Sequence, residues 1–301
     1  MTTFRGERHL VEQVESVWAQ TRPPDELVVF DDASDDQTWA LLEETAVRSP
    51  IPVRLHRQPS NVGLRRNVEA ALRACAGDVI VLADQDDVWR PEKVAALAEA
   101  FTDPTVTLWF SDAALIDVAG NSIGFRAWDR VHFDDDAQRE LAEGSALRLL
   151  HGQTVTGATM AIRASVLAAA LPLPVDMDNE ASHLFLHDGW LAIVAVTYGR
   201  AVTDPRQLTF YRQHSSQVTG MSMVTGGGGA GPPGTRLNVD RNRAVAVAAV
   251  AGPNRSGDEV RAIAAFLEAR HGSRLDVLRY LWRGDYRRFA RGLRTALRDL
   301  A

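Results

Sequence analysis

Val79-Ile80-Val81-Leu82-Ala83-Asp84-Gln85-Asp86-Asp87 holds five apolar residues that run straight into three carboxylates. A short apolar run bounded by acids reads as a strand buried on both faces. Such strands belong to sheets covered by helices. The neighbouring sequence supplies those helices. Upstream, Leu64 to Ala74 reads as a helix closed by Gly77, and downstream Pro91 opens another in a first turn that tolerates proline. Leu27-Val28-Val29-Phe30 repeats the motif, since it is an apolar run ending in Asp31-Asp32. It is preceded by a helix with Leu10, Val14 and Val17 at i, i+4, i+7 and by the breaker Pro23-Pro24. Ser34 or Asp35 caps the helix that follows, which runs to about Arg48. Val53 to Leu55 and Thr107 to Asp117 read as further strands. Alternating strands and helices predict an α/β fold with a mostly parallel sheet flanked by helices. In such sheets ligands bind at the carboxyl ends of strands, where both acidic clusters fall.

The chain has 301 residues, a formal charge of −6, and 46 % apolar and 24 % charged residues. This is a globular composition, not a disordered or fibrous one. The one cysteine, Cys75, excludes an internal disulfide or a cysteine-built metal site. No apolar run approaches the ~20 residues that span a bilayer, and the first residues lack a signal-peptide core. A cytoplasmic location is the expectation. Among the basic residues only Lys93 is lysine, a skew read as codon composition.

The organisation changes near residue 221. Residues 1–220 form the expected catalytic domain, and 221–235 a Gly/Pro-rich linker. Gly226, Gly228 and Gly231 formally match G-x-G-x-x-G, but no strand precedes them and prolines follow. Residues 236–301 form a basic helical tail with fourteen arginines against seven acids, a net of +7 that leaves −13 for the body. Helices are expected over about 239–250, 259–270 and 275–300. Leu275, Leu278, Trp282, Leu293 and Leu297 interleave with Arg279, Arg283, Arg294 and Arg298. Such a helix docks on the anionic inner face of a membrane or packs its apolar stripe on the catalytic domain. An acidic body without a recognition motif argues against nucleic acid.

Four groups of residues can carry chemistry. Asp84-x-Asp86 offers two carboxylates for a hard cation such as Mg²⁺ or Mn²⁺, which keeps open positions for a diphosphate; alternatively it is a solvated capping loop. Asp31-Asp32 can accept hydrogen bonds from a ribose or a base N–H, or can simply open a turn. Asp188, in His187-Asp188-Gly189-Trp190, is a helix cap or a general base. His214, in Tyr211-Arg212-Gln213-His214, is structural or completes a metal shell.

These segments follow one another in a recognisable order: Thr3-Phe4-Arg5-Gly6-Glu7, Gln20-Thr21, Asp31 to Thr38, Asn61-Val62-Gly63, Arg66-Asn67, Gly77-Asp78, Asp84 to Trp89, His187 to Leu191 and Tyr211 to His214. Over roughly residues 1–220 the chain resembles the family 2 glycosyltransferases of GT-A fold, and their rhamnosyltransferase-like branch in particular. The resemblance implies inverting transfer from a nucleotide-sugar, a dTDP- or UDP-sugar and by branch dTDP-L-rhamnose, to a glycan or polyprenyl-linked acceptor for cell-surface polysaccharide. It implies Thr3, Asp32, Arg66, Asp84 and Gln85 on the donor side, with Asp32 on the base. It implies Asp84, Asp86 and His214 around Mn²⁺ or Mg²⁺, with Asp188 as catalytic base. Gly157, Thr159 and Trp190 then fall on the acceptor side.

Two features depart from the family pattern. The family begins with a full buried strand where this chain has only Met1 to Thr3, so the first strand is expected to be missing or truncated. A start codon assigned too late is the favoured explanation. Arg5 and Gly189 stand where Asn and an aromatic residue are common. Two other functions compete. One is a catalytically dead nucleotide-binding or scaffold protein. The other is a haloacid-dehalogenase-like phosphatase, whose D-x-D-x-[TV] motif Asp84 to Val88 formally fits, although Lys93 lies in the wrong place for it. A P-loop nucleotidase is excluded by the absence of G-x-x-x-x-G-K-[ST].

Overall fold

The computed structural model describes residues 1–151, 154–178, 186–214, 241–270 and 274–283. The linker at 221–235 and the tail beyond Arg283 lie outside the described residues. A parallel sheet opens the chain, with strands β1 (Thr2–Thr3), β2 (Leu27–Asp31) and β3 (Val53–Arg57). Thr2 lies opposite Phe30, and Leu27 opposite Val53. The first strand is thus present as a two-residue element paired with β2. Helices α1 (Leu10–Trp18) and α2 (Thr38–Arg48) make the crossovers. The predicted Leu10, Val14 and Val17 stripe is the buried face of α1. The cap of α2 differs from expectation. Asp36 accepts the Thr38 amide at 3.0 Å, while Ser34 turns back to donate its hydroxyl to Asp31.

Helix α3 (Leu64–Ala74) starts at Gly63, whose φ of 84° and ψ of 158° suit glycine. It ends on Cys75 in extended backbone, not on a left-handed Gly77. Next come β4 (Val79–Val81), β5 (Val88–Trp89), α4 (Lys93–Ala100), β6 (Val106–Ile116) and β7 (Ser122–Arg126). Three short helices, α5 (Ala127–Arg130), α6 (Asp135–Ala142) and α7 (Leu147–His151), lead to β8 (Met160–Arg163). Then follow α8 (Leu167–Ala170), α9 (His187–Tyr198) and β9 (Arg200–Arg212). The second sheet runs β4-β8-β6-β9-β5, with β7 beside β6. Among the described residues the parallel pairings are β1–β2, β2–β3 and β6–β9. The pairings β4–β8, β6–β8, β5–β9 and β6–β7 are antiparallel. The fold is therefore α/β, with its parallel order concentrated in the first sheet.

Helix α9 is buried at every residue from Asp188 to Thr197. It is covered by α10 (Arg241–Val250) and α11 (Arg255–Arg270), and α12 (Arg274–Trp282) packs on α11. Ala244, Val247, Ile263 and Phe266 join the same core as Phe110 and Ile193. Polar ties reinforce it: Asn254 donates to the Val196 and Gly199 carbonyls, and Glu259 accepts the Ala146 amide. Among the described residues no helix is long and apolar enough to cross a membrane.

Candidate active site

The acidic loop between β4 and β5 is held from beneath. Asp87 is fully buried; one oxygen accepts the Arg212 amide at 2.9 Å and the other has no partner among the described residues. The Arg212 side chain, also buried, donates to the Asp86 carbonyl at 2.8 Å, to the Asp117 and Val118 carbonyls, and to Glu12 at 2.7 Å. The sequence reading carried Arg212 only as part of a motif, because nothing local marks an arginine for burial. His214 Nε2 lies 2.7 Å from Asp86 Oδ2, and the His9 ring stacks on His214 at 6.0 Å.

Charge is concentrated here. Burial, then the charges of Asp86 and Asp188, push Asp84 up to about 7. Burial, then Asp86 and Asp84, push Asp87 well up as well. Lys93 is pushed down to about 7 by burial, against the pull of Asp87 and Asp84. Burial and the same carboxylates raise the Tyr211 hydroxyl. The cluster carries more negative charge than its neighbours offset, which is the electrostatic setting of a cation site.

Asp188 lies in the first turn of α9. Its Oδ2 accepts the Gly157 amide at 2.9 Å and its Oδ1 the Gly189 amide at 2.8 Å. Gly157–Thr159 is a single 3-10 turn, with the Thr159 amide on the Thr156 carbonyl. The Ala158 carbonyl accepts from Lys93 Nζ at 2.6 Å and from the Thr209 hydroxyl at 3.2 Å. Trp190 corrects an expectation. Its indole is buried in the core and donates to the Ala170 carbonyl at 2.9 Å, so it is a packing residue and not an acceptor-side wall.

Thr3 and Asp32, two of the residues expected on the donor side, lie at the ends of β1 and β2. The Thr3 hydroxyl donates to Asp31 at 2.9 Å, and Ser34 reinforces the same carboxylate. Asp32 accepts the Val62 and Gly63 amides at 2.7 and 3.0 Å, which fixes the loop before α3. Gln85 makes a two-point contact with Phe4, accepting its amide and donating to its carbonyl, each at 2.9 Å. This ties the acidic loop to the first turn of the chain. Arg66 is another of the residues expected on the donor side. It is exposed on α3 and lines an open groove of about 440 Å³ with Arg65, Arg73 and Leu173.

The two carboxylates of Asp84 and Asp86 and the His214 imidazole suit a hard divalent cation by donor type. Among the described residues no three His, Cys, Asp or Glu side chains converge on one point. A cation bound through one or two carboxylates and substrate phosphates does not require three.

The strands and helices form an α/β scaffold with acidic side chains gathered at the end of β4. Residues 1–157, more than half of the chain, match the model of glycosyl transferase family 2, and the chain belongs to that family. An uncharacterized glycosyltransferase of Nostoc sp. is 26 % identical over 218 residues, covering 72 % of this chain and 64 % of that protein. This chain thus spans less than two thirds of that relative. The dTDP-rhamnosyl transferase RfbG of Shigella flexneri is 23 % identical over 228 residues, 74 % of each chain. Among solved structures, S. aureus TarS 1-349 in complex with UDP superposes with a TM-score of 0.56 at 17 % identity, covering 90 % of this chain and 70 % of that one. At that identity the likeness concerns the GT-A fold.

Proposed function

We propose that the chain is an inverting, metal-dependent glycosyltransferase that moves a sugar from a nucleoside-diphosphate donor to a hydroxyl of a glycan or polyprenyl-linked acceptor. The observation that carries this reading is the Asp188 carboxylate, held by the Gly157 and Gly189 amides and close enough to Asp84 for its charge to be felt there. A general base must be fixed within reach of the acceptor hydroxyl. Asp188 takes the hydroxyl proton, and the acceptor oxygen bonds to the anomeric carbon. The bond from that carbon to the diphosphate oxygen breaks, and the electron pair leaves with the nucleoside diphosphate. One displacement inverts the centre and requires no enzyme nucleophile.

Asp84 and Asp86 would hold Mn²⁺ or Mg²⁺, with His214 beside Asp86 as a further candidate, and the cation would offset charge growing on the departing diphosphate. Thr3, Asp32, Arg66, Asp84 and Gln85 face the donor, and Gly157 and Thr159 the acceptor. The name of the Shigella relative, a dTDP-rhamnosyl transferase, supports a dTDP-rhamnose as the first donor to try; a cell-surface polysaccharide as product rests on the sequence resemblance alone. The chain works on the cytoplasmic side, with the basic tail as a peripheral membrane contact.

Calorimetric titration of dTDP and UDP, with Mn²⁺ and then with EDTA, tests the donor site; binding that ignores the metal would remove Asp84, Asp86 and His214 from it. Asp188→Asn should keep nucleotide affinity while lowering turnover roughly 100- to 10,000-fold. Turnover at the wild-type rate would reject Asp188 as the base. Asp86→Ala should weaken metal-dependent nucleotide binding, and unchanged Mn²⁺ dependence would take it out of the metal shell.

A further inference from the structure

The chain carries 33 lysines and arginines, of which Lys93 alone is lysine. That residue opens α4 and is fully buried. Its ammonium donates to the Ala158 carbonyl at 2.6 Å and sits 4.0 Å from the centroid of the Trp89 ring. Its charge is felt by both Asp84 and Asp87. Ala158 adjoins Gly157, whose amide holds the Asp188 carboxylate. Lys93 therefore joins two parts of the site: the acidic loop through charge, and the 157–159 turn through a hydrogen bond.

The residue type suits the position. An ammonium is compact and has three donors, whereas a guanidinium is planar and has five. A buried space offering one carbonyl and an indole face would leave most of a guanidinium unsatisfied. In a chain that uses arginine everywhere else, codon composition does not account for lysine here.

We propose that Lys93 is a positioning residue for sugar transfer: through the Ala158 carbonyl it fixes the 157–159 turn, and with it the Asp188 carboxylate, against the acidic loop. The proposal rests on the glycosyltransferase reading above. The test uses Lys93→Met, Lys93→Arg and the charge-neutral pair Lys93→Met/Asp87→Asn, which keeps a folded variant in hand if loss of the ammonium alone destabilises the protein. Nucleotide affinity with Mn²⁺ should stay within about threefold of wild type in each folded variant, while kcat falls roughly 100-fold, the scale of a misplaced reacting group. Lys93→Arg should not restore it. Wild-type turnover in Lys93→Arg or in the double variant would overturn the proposal. A second readout is independent of turnover. Protein labelled with ¹⁵N-lysine gives one side-chain ammonium resonance, which should shift in Asp188→Asn; an unmoved resonance would show that the two groups are uncoupled. The parent reading fails separately, if wild-type protein binds no nucleotide or if Asp188→Asn turns over normally.

Discussion

Arg212 shows how much of this site rests on one side chain. Its guanidinium satisfies the carbonyls of Asp86, Asp117 and Val118, and its amide one oxygen of Asp87. Glu12, its carboxylate partner, is half-exposed, so the pair itself contributes modestly. The larger cost lies in carbonyls that would lose their donors. Arg212→Met should lower stability by about 3 kcal/mol, read as a shifted urea midpoint. Arg212→Lys should recover less than half of that, because one ammonium cannot reach all these groups. Full recovery would show that charge, and not the fork of donors, is what the position requires. None of this was legible in the sequence, where Arg212 is one of many arginines. Asp84, Asp86 and Asp188 could be singled out as candidates in the sequence, because each sits where an apolar run meets a turn. Trp190 misled because an aromatic residue beside a functional acid looks the same whether it lines a cleft or fills a core.

At the scale of elements, local patterns were reliable where neighbours in sequence are neighbours in space. The α1 stripe, α3 and the apolar β2 and β4 runs follow from periodicity alone. Strands β7 and β8 and the long β9 were not foreseen. Strand β9 carries Arg200, Asp204, Arg206 and Arg212, and its buried central position comes from pairing with β6 nearly a hundred residues away. Its charges are neutralised in place: Arg206 pairs with Asp204 and Arg200 with Asp103. The start of α3 offers a direct test. A β-carbon on Gly63 would meet no atom within 4 Å, so Gly63→Ala probes backbone conformation alone. With φ at 84° the substitution should cost about 1–3 kcal/mol. It should also loosen the loop whose amides hold Asp32. A neutral result in chemical denaturation would mean that the loop relaxes without strain.

At the scale of the whole molecule, the described C-terminal helices are part of the core and not an appendage. Val247, Ile263, Phe266 and Val277 pack with α9 and the second sheet. Urea unfolding followed by tryptophan fluorescence and by far-ultraviolet circular dichroism should therefore give one coincident transition. Two separated transitions would mean that these helices unfold on their own. The opposite face of α12 is different: Leu275 and Trp282 are 76 % and 91 % exposed, with Leu278 between them and Arg279 and Arg283 alongside. That face suits an anionic lipid surface. Co-sedimentation with vesicles containing phosphatidylserine, but not with neutral ones, is the expected result, reduced by Trp282→Ser. Equal binding to neutral vesicles would exclude the electrostatic part of that contact.

The solitary buried lysine has a practical consequence. The folded surface offers no lysine ammonium to reagents that acylate amines, so Lys93 can react only when the protein around it opens. The rate at which that one side chain is modified would then serve as a clock for the opening of the interior. A bound nucleotide should slow it, in proportion to how tightly it holds the two halves of the site closed.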